Sequence, residues 1–224
     1  MNSKPIVTSD DSHTLYHEKS GEHYHSTFGA ITESEHIFIA AGLDYFQRNK
    51  SLKTNILEVG FGTGLNALLT YKYAKQNDIL INYLGIEAFP ISGNLASGLN
   101  YPELVDIDME VFKKMHQDIE TKVEIDSCFT LQKTFTKFEL LKLPENEFDI
   151  VYFDAFSPEA QAELWTEEIF QKLFTAMREG GILTTYSCKG IVKRALKTAG
   201  FSIEKIPGPP GKREFLRAMK GFSV

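Results

Sequence analysis

Nine residues, Glu58-Val59-Gly60-Phe61-Gly62-Thr63-Gly64-Leu65-Asn66, constrain the fold more than any other stretch of this chain. They stand where a short apolar run, Asn55-Ile56-Leu57-Glu58-Val59, hands over to a helix-like segment, Leu65–Tyr73. A strand that turns on glycines into a helix is the opening unit of an open α/β sheet, because glycine alone lets backbone turn so sharply and approach a ligand so closely. The spacing of the glycines narrows the ligand. In a dinucleotide fingerprint the third glycine comes three residues after the second, and the loop cradles a pyrophosphate. Here the spacing is two and two, Leu65 stands where that glycine would be, and Glu58 precedes the loop. A carboxylate is a poor companion for pyrophosphate, so a cofactor without phosphates is expected; the bland alternative is a tight glycine turn with solvated acids.

The rest of the chain extends the same alternation. Residues 1–30 are polar and aromatic and predict an irregular or short-stranded lead-in, followed by a helix with a capping box at Thr32 and Glu35 and apolar positions at Ile37, Phe38, Ala41, Tyr45 and Phe46. A second strand is expected over Ile79–Glu87, a helix-rich stretch from Ile91 to about Glu120, and a strand or hairpin over Val123–Thr134. Phe148–Asp154 reads as a buried strand, Leu164–Met177 as a helix ending at Gly180-Gly181, Ile182–Tyr186 as a strand and Ile191–Thr198 as a helix. Two last strands, Ser202–Ile206 and Glu214–Met219, flank the turn Pro207–Gly211. The fold class predicted is α/β, a single domain in which residues 1–50 pack as an N-terminal extension on a core of residues 51–224. Its sheet is expected to have seven mainly parallel strands, the terminal one antiparallel.

With 42% hydrophobic residues, the 224-residue chain has ample material for a core, which excludes disorder as the main state. No run approaches the ~18 apolar residues of a membrane span, and Met1–Asp11 lacks a signal-peptide core. Only Cys128 and Cys188 are present, so neither a disulfide framework nor a zinc site is expected, and the cytoplasm is the expected compartment. His13, His17, His23 and His25 lack the acid or thiol partners of a metal set and are expected to form surface or lid. The net charge of −6 argues against an even basic coat. Its distribution is polar, though: residues 178–224 hold ten basic and three acidic residues, a balance of +7. On the helix there, Lys193, Arg194 and Lys197 lie opposite the apolar positions, as a solvated face or a phosphate-binding one.

The E-x-G-x-G-x-G run resembles motif I of the class I S-adenosylmethionine-dependent methyltransferases, whose fold is Rossmann-like. The resemblance implies that the loop packs against the cofactor's amino-acid and ribose parts. Glu58 suits the ammonium group, and Glu87, 23 residues past Gly64 at the end of the second strand, suits the ribose hydroxyls. No carboxylate follows Leu131-Gln132-Lys133-Thr134 closely, so no adenine ligand is assigned. The apolar strand Phe148–Phe153 delivers Asp154-Ala155-Phe156-Ser157-Pro158, similar to the acidic, aromatic and proline motif that amine- and base-directed methyltransferases carry there. Asp154 would orient an acceptor amine, and Phe156 would stack on a planar ring; alternatively Asp154 caps a helix and Phe156 is core. An aspartate of ordinary pKa ~3.9 cannot deprotonate an alkylammonium of pKa ~10, so orientation, with proton loss to water, is the expected role.

Thr14-Leu15-Tyr16, Glu22–Ser26, Gly29-Ala30, the glycine loop, Asp154–Pro158, Leu164-Trp165-Thr166 and Gly208–Glu214 together resemble the MnmC methyltransferase family over nearly the whole chain. That resemblance implies N-methylation of 5-aminomethyl-(2-thio)uridine at the tRNA wobble position, with S-adenosylmethionine as cofactor and the anticodon arm as partner. Since the chain ends at Val224, the stand-alone form without a flavin oxidoreductase domain is expected, with a separate oxidoreductase or upstream wobble-modifying enzymes as further partners. The implied cofactor contacts are Glu58, Gly60, Gly62, Gly64, Asn66 and Glu87, with Tyr24 and Ser26 as cover; the implied catalytic residues are Asp154 and Phe156. Pro158, Lys189, Lys193, Arg194, Lys212 and Arg213 are the expected substrate or tRNA contacts. Two alternatives remain: a methyltransferase for a small amine or planar metabolite, and a non-catalytic tRNA- or cofactor-binding module.

Overall fold

The computed structural model describes residues 4–48, 51–117 and 120–222. The ends of the expected 1–50 extension, at 1–3 and 49–50, and the close of the helix-rich stretch at 118–119 lie outside the described residues. Three short antiparallel strands open the chain: β1 (Pro5–Val7), β2 (His13–His17) and β3 (Glu22–His23). Helix α1 (Ala30–Ser34) runs through a π-helical stretch, Glu35–Asp44, into α2 (Tyr45–Gln47). Then come β4 (Lys53–Val59), α3 (Leu65–Asn77), β5 (Leu80–Ile86), α4 (Gly93–Ala96), α5 (Tyr101–Leu104), α6 (Met109–Met115), β6 (Val123–Asp126) and β7 (Phe129–Thr134). The last third comprises β8 (Phe148–Phe153), α7 (Glu167–Ala176), β9 (Met177–Thr185), α8 (Gly190–Thr198), β10 (Ser202–Pro207) and β11 (Glu214–Met219).

The main sheet has the order β10-β11-β9-β8-β4-β5-β7-β6. Its centre is parallel, and β11 is antiparallel to both β9 and β10. Eight strands are present where seven were expected, because 123–134 forms a hairpin whose first arm, β6, adds an antiparallel edge strand. β4 from Thr54 onward and all of β8 are buried, as strands covered on both faces must be. Alternation splits their side chains between two cores. Ile56, Ile150 and Tyr152 join Phe38, Leu68, Tyr83 and Phe129 on one face; Leu57, Val59, Val151 and Phe153 join Trp165, Phe170, Leu196 and Leu216 on the other.

Two expected boundaries are corrected. Thr32 and Glu35 form no capping box: α1 begins at Ala30, and the Asp10 carboxylate takes both the Thr32 backbone N–H and its hydroxyl at 2.8 Å, a cap supplied from the N-terminal turn. The helix expected to reach Gly180-Gly181 stops at Ala176, capped at its start by Thr166, and β9 begins at Met177. Gly180, at φ +76°, lies within that strand, whose register against β8 shifts between Phe148 and Ile150. Among the described residues no helix is long and apolar enough to cross a membrane.

Candidate active site

The carboxyl ends of β4, β5 and β8 meet at one edge of the sheet, and the N-terminal hairpin folds back over it. Together they enclose a cavity of about 530 Å³, within the range of small-molecule sites. The glycine loop forms its floor. Gly60, Gly62 and Gly64 all have positive φ, at 91°, 51° and 75°. A Cβ on Gly60 would lie 2.5 Å from the Asp154 carbonyl oxygen, so the β4 and β8 loops pass at a distance only glycine permits. The Gly60 and Phe61 N–H groups donate to the Ile86 carbonyl, and the Gly62 N–H donates to Glu87 Oε2 at 2.9 Å. Glu87 Oε1 accepts the Phe89 N–H at 2.9 Å. Both oxygens of Glu87 are thereby fixed on backbone, and the carboxylate faces the cavity.

Asn66, in the first turn of α3, links two acids. Its amide donates to Glu58 Oε1 and to Asp154 Oδ2, each at 2.9 Å. Glu58 is fully buried and lies behind Asn66, outside the cavity wall, and its Oε2 has no hydrogen-bond partner among the described residues. Burial drives the Glu58 carboxyl well above its ordinary range, and the Asn66 bond offsets this only in part. Asp154 does face the cavity. Burial first, then the charge of Glu33, pushes it up to about 7, against the opposing effects of the Asn66 bond and Lys212. This overturns the premise of an ordinary aspartate: a carboxyl titrating near neutrality is a far better proton acceptor.

The lid comes from the N-terminal hairpin. The Glu22 carboxylate accepts the Ser157 N–H at 3.0 Å and the Ser157 hydroxyl, tying the lid to the loop after β8. His17 stacks on Phe156 at 4.9 Å between centroids, and Tyr24 meets that ring edge-on at 5.2 Å. Phe156 is further held by Gln161 Oε1 at its N–H and by the Trp165 indole N–H at its carbonyl. Tyr24 is pushed up to about 12 by burial and then by the Glu87 charge. His25, whose Nε2 lies 2.7 Å from the Thr63 hydroxyl, is pulled down to about 4 by burial and is neutral at pH 7.

Of the residues expected at the site, Tyr24, Ser26, Gly60, Gly62, Asn66, Glu87, Asp154, Phe156 and Lys212 line the cavity. Glu58, Gly64 and Pro158 do not line it: Glu58 and Pro158 are buried, and Gly64 turns against the His116 ring. Lys189, Lys193, Arg194 and Arg213 lie outside it, Lys189 paired with Glu159. His17 and His25, expected as surface or lid, line the cavity, while Glu22, Glu33 and Tyr186, which the sequence did not single out as site residues, reach it through folding-back of the N-terminus or from the end of β9. The sequence reading also missed Glu139, a wall residue five positions beyond Thr134. The polar and aromatic run Glu22-His23-Tyr24-His25 was the one local signal available.

The cavity wall carries the carboxylates of Glu22, Glu33, Glu87, Glu139, Glu163 and Asp154 against Lys19, Lys137 and Lys212. Such a wall repels a pyrophosphate and suits a cofactor that is itself cationic. The positive-φ glycine floor, the anchored Glu87 and this charge balance therefore fit S-adenosylmethionine, which Gly60, Gly62, Asn66 and Glu87 would hold. Among the described residues no group of three or more His, Cys, Asp or Glu is arranged to hold a metal ion.

Comparison with known proteins agrees. Residues 104–221, just over half of the chain, match the profile of a family described as S-adenosyl-L-methionine-dependent methyltransferase. The tRNA 5-methylaminomethyl-2-thiouridine biosynthesis bifunctional protein MnmC of Burkholderia multivorans is 30% identical over 220 residues, which cover 92% of this chain and 33% of that protein. The protein of the same name from Polaromonas naphthalenivorans is 29% identical over 215 residues, 90% of this chain and 33% of its own length. The chain thus spans about a third of the length of these relatives. In fold it is similar to MNMC2 from Aquifex aeolicus, with TM-score 0.76 and 24% identity over 100% of this chain and 72% of that one. Spermidine synthase from Thermotoga maritima follows with TM-score 0.56 and 15% identity, covering 100% of this chain and 73% of that one. With the glycine floor, the acidic cavity and the matched profile in agreement, the chain belongs to the S-adenosyl-L-methionine-dependent methyltransferase family.

Proposed function

We propose that this protein methylates the exocyclic amine of 5-aminomethyl-(2-thio)uridine at the wobble position of tRNA, giving the methylaminomethyl form, in the cytoplasm. The observation that carries the reading is Asp154, a carboxyl raised to about 7 and held on the cavity wall by Asn66, next to the aromatic ring of Phe156. The nucleoside itself is suggested by the names of the relatives. Bound in the cavity, the cofactor supplies an electrophilic sulfonium methyl group.

The chain's own residues prepare the nucleophile. An amine arrives largely as ammonium and must lose a proton before its lone pair can form a bond to carbon. Against an ordinary aspartate that transfer is uphill by about 8 kcal/mol; against a carboxyl near 7 it is uphill by about 4 kcal/mol. Asp154 accepts the ammonium hydrogen bond, fixes the direction of the nitrogen and takes its proton. Asn66 keeps Asp154 Oδ2 oriented, and the Glu22–Ser157 tie and the His17 ring hold Phe156 where a uracil ring can lie beside it. Residues of the 17–28 lid line the cavity beside this wall and restrict its access to water.

The test is transfer of labelled methyl from S-adenosylmethionine to tRNA carrying the 5-aminomethyl wobble nucleoside. Labelled methylaminomethyluridine is the expected product, with binding that weakens as salt rises. Transfer to free small amines with none to tRNA would replace this reading with the metabolite one.

A further inference from the structure

One carboxylate of the cavity wall enters the mechanism above only through its charge on Asp154. Glu33, in α1, is 7% exposed and faces the cavity. Its Oε2 accepts the Ser26 backbone N–H at 2.7 Å, which fixes the carboxylate plane. Its Oε1 lies 2.7 Å from the Lys212 ammonium, yet that contact lacks hydrogen-bond geometry and Oε1 has no hydrogen-bond donor among the described residues. The same ammonium stands 4.5 Å from the centroid of the Tyr186 ring. The Tyr186 hydroxyl donates to the Ala155 carbonyl at 2.9 Å, which pins the ring beside Asp154.

A buried carboxylate and an aromatic face around one ammonium group make a recognition site for a primary ammonium ion. In the structure the cation in it is the chain's own. Lys212 sits in the turn between β10 and β11, and its side chain is 27% exposed, so it has a route back to solvent. Resting on the amine-acceptor reading above, we infer that Glu33 and the Tyr186 ring form the ammonium subsite of the acceptor, filled by Lys212 at rest and vacated when a substrate aminomethyl group displaces it. A bare carboxylate at this depth would be costly. Exchange of one ammonium for another keeps Glu33 paired while the acceptor binds, until Asp154 takes the proton and methyl transfer restores the positive charge on the nitrogen. A neutral substituent, such as a hydroxymethyl group, offers no such exchange, so the subsite selects amines while Asp154 takes the proton.

Affinity for free 5-aminomethyluridine nucleoside, which carries no phosphate, separates this role from tRNA backbone binding. It is measured by calorimetry with S-adenosylhomocysteine present, for the wild type, Glu33→Gln, Lys212→Met and the double variant, alongside cofactor affinity. Lys212→Met removes the competitor and should tighten nucleoside binding by about 3–10-fold, while Glu33→Gln removes a charge-assisted contact and should weaken it by about 10-fold or more. The double variant should bind like Glu33→Gln, and all four should keep their cofactor affinity. Weaker or unchanged binding in Lys212→Met, a double variant restored to wild-type affinity, or loss of cofactor affinity in Glu33→Gln would each overturn the inference, the last two marking an internal strut or a cofactor contact. A wild type that methylates aminomethyl-tRNA but binds the nucleoside no better than uridine also overturns it and leaves the proposed function standing. A wild type that methylates no aminomethyl-tRNA removes the functional reading itself.

Discussion

Asp154→Asn removes a charge that the fold resists forming, so the variant should be inactive and also more stable than the wild type, by an amount that depends on pH. The carboxyl moves from 3.8 to about 7 on folding. Below about pH 4 it is protonated in both states and contributes no difference. Between about 4 and 7 the unfolded chain ionises it while the folded chain does not, and wild-type stability falls as pH rises; above about 7 the penalty is constant. A shift of this size corresponds to a ceiling of about 4 kcal/mol, and partial solvent access at the cavity wall reduces the expected gain to about 1–3 kcal/mol. The amide introduced by Asp154→Asn keeps the bond from Asn66 through its side-chain carbonyl, so the substitution removes charge without orphaning a partner. For a domain of this length the gain is a rise in Tm of about 3–10 °C at pH 8 that vanishes at pH 4. Thermal unfolding of both proteins across that range measures it. A variant equally stable at pH 8, or one whose gain is the same at pH 4, would refute the claim that burial raises Asp154.

Three other perturbations probe the same wall. Asn66→Ala deletes the bond shared by Glu58 and Asp154, so both carboxyls should rise further, the protein should lose about 1–3 kcal/mol in denaturant unfolding, and turnover should fall. Gly60→Ala places a methyl 2.5 Å from the Asp154 carbonyl at a positive φ and should lower Tm by about 4–8 °C and weaken cofactor binding in calorimetry, whereas Gly93→Ala, with nothing within 4 Å, should change neither. The acidic limb of kcat/KM should lie near the Asp154 value of about 7; Glu33→Gln should move it down and Lys212→Met up, since Glu33 raises and Lys212 lowers that group. Limbs that stay put in both variants would dissociate Asp154 from the rate.

Much of the core was legible because its signals are local. The strand, glycine turn and helix at 54–77 and the apolar run of β8 depend on residue type and spacing alone, and the two-plus-two glycine spacing already argued for a ligand without phosphates. What escaped depends on distant partners. Glu22 and Ser157 are 135 residues apart in sequence and meet only because the N-terminal hairpin folds over the sheet edge. The raised Asp154 follows from burial and from Glu33, neither visible in the motif Asp154–Pro158. The capping box failed because α1 begins at Ala30, which puts Thr32 inside the helix, where the distant Asp10 accepts its N–H. The basic balance of residues 178–224 was a count of charges without their partners: Lys189, Lys205, Lys212 and Arg217 pair with Glu159, Glu214, Glu33 and Glu204, and Lys220 donates to the carbonyls of Phe174 and Met177. Arg178 pairs with Asp149, so of the ten basic residues Lys193, Arg194, Lys197 and Arg213 remain outside these contacts among the described residues, and under the proposed function they are the ones that would meet an RNA backbone.

Nucleoside mass analysis of bulk tRNA from cells that lack this protein tests the central claim most directly. Loss of methylaminomethyluridine with accumulation of its aminomethyl precursor is the predicted profile, reversed by the wild-type gene and not by one encoding Asp154→Asn. An unchanged profile, or full restoration by Asp154→Asn, would contradict it.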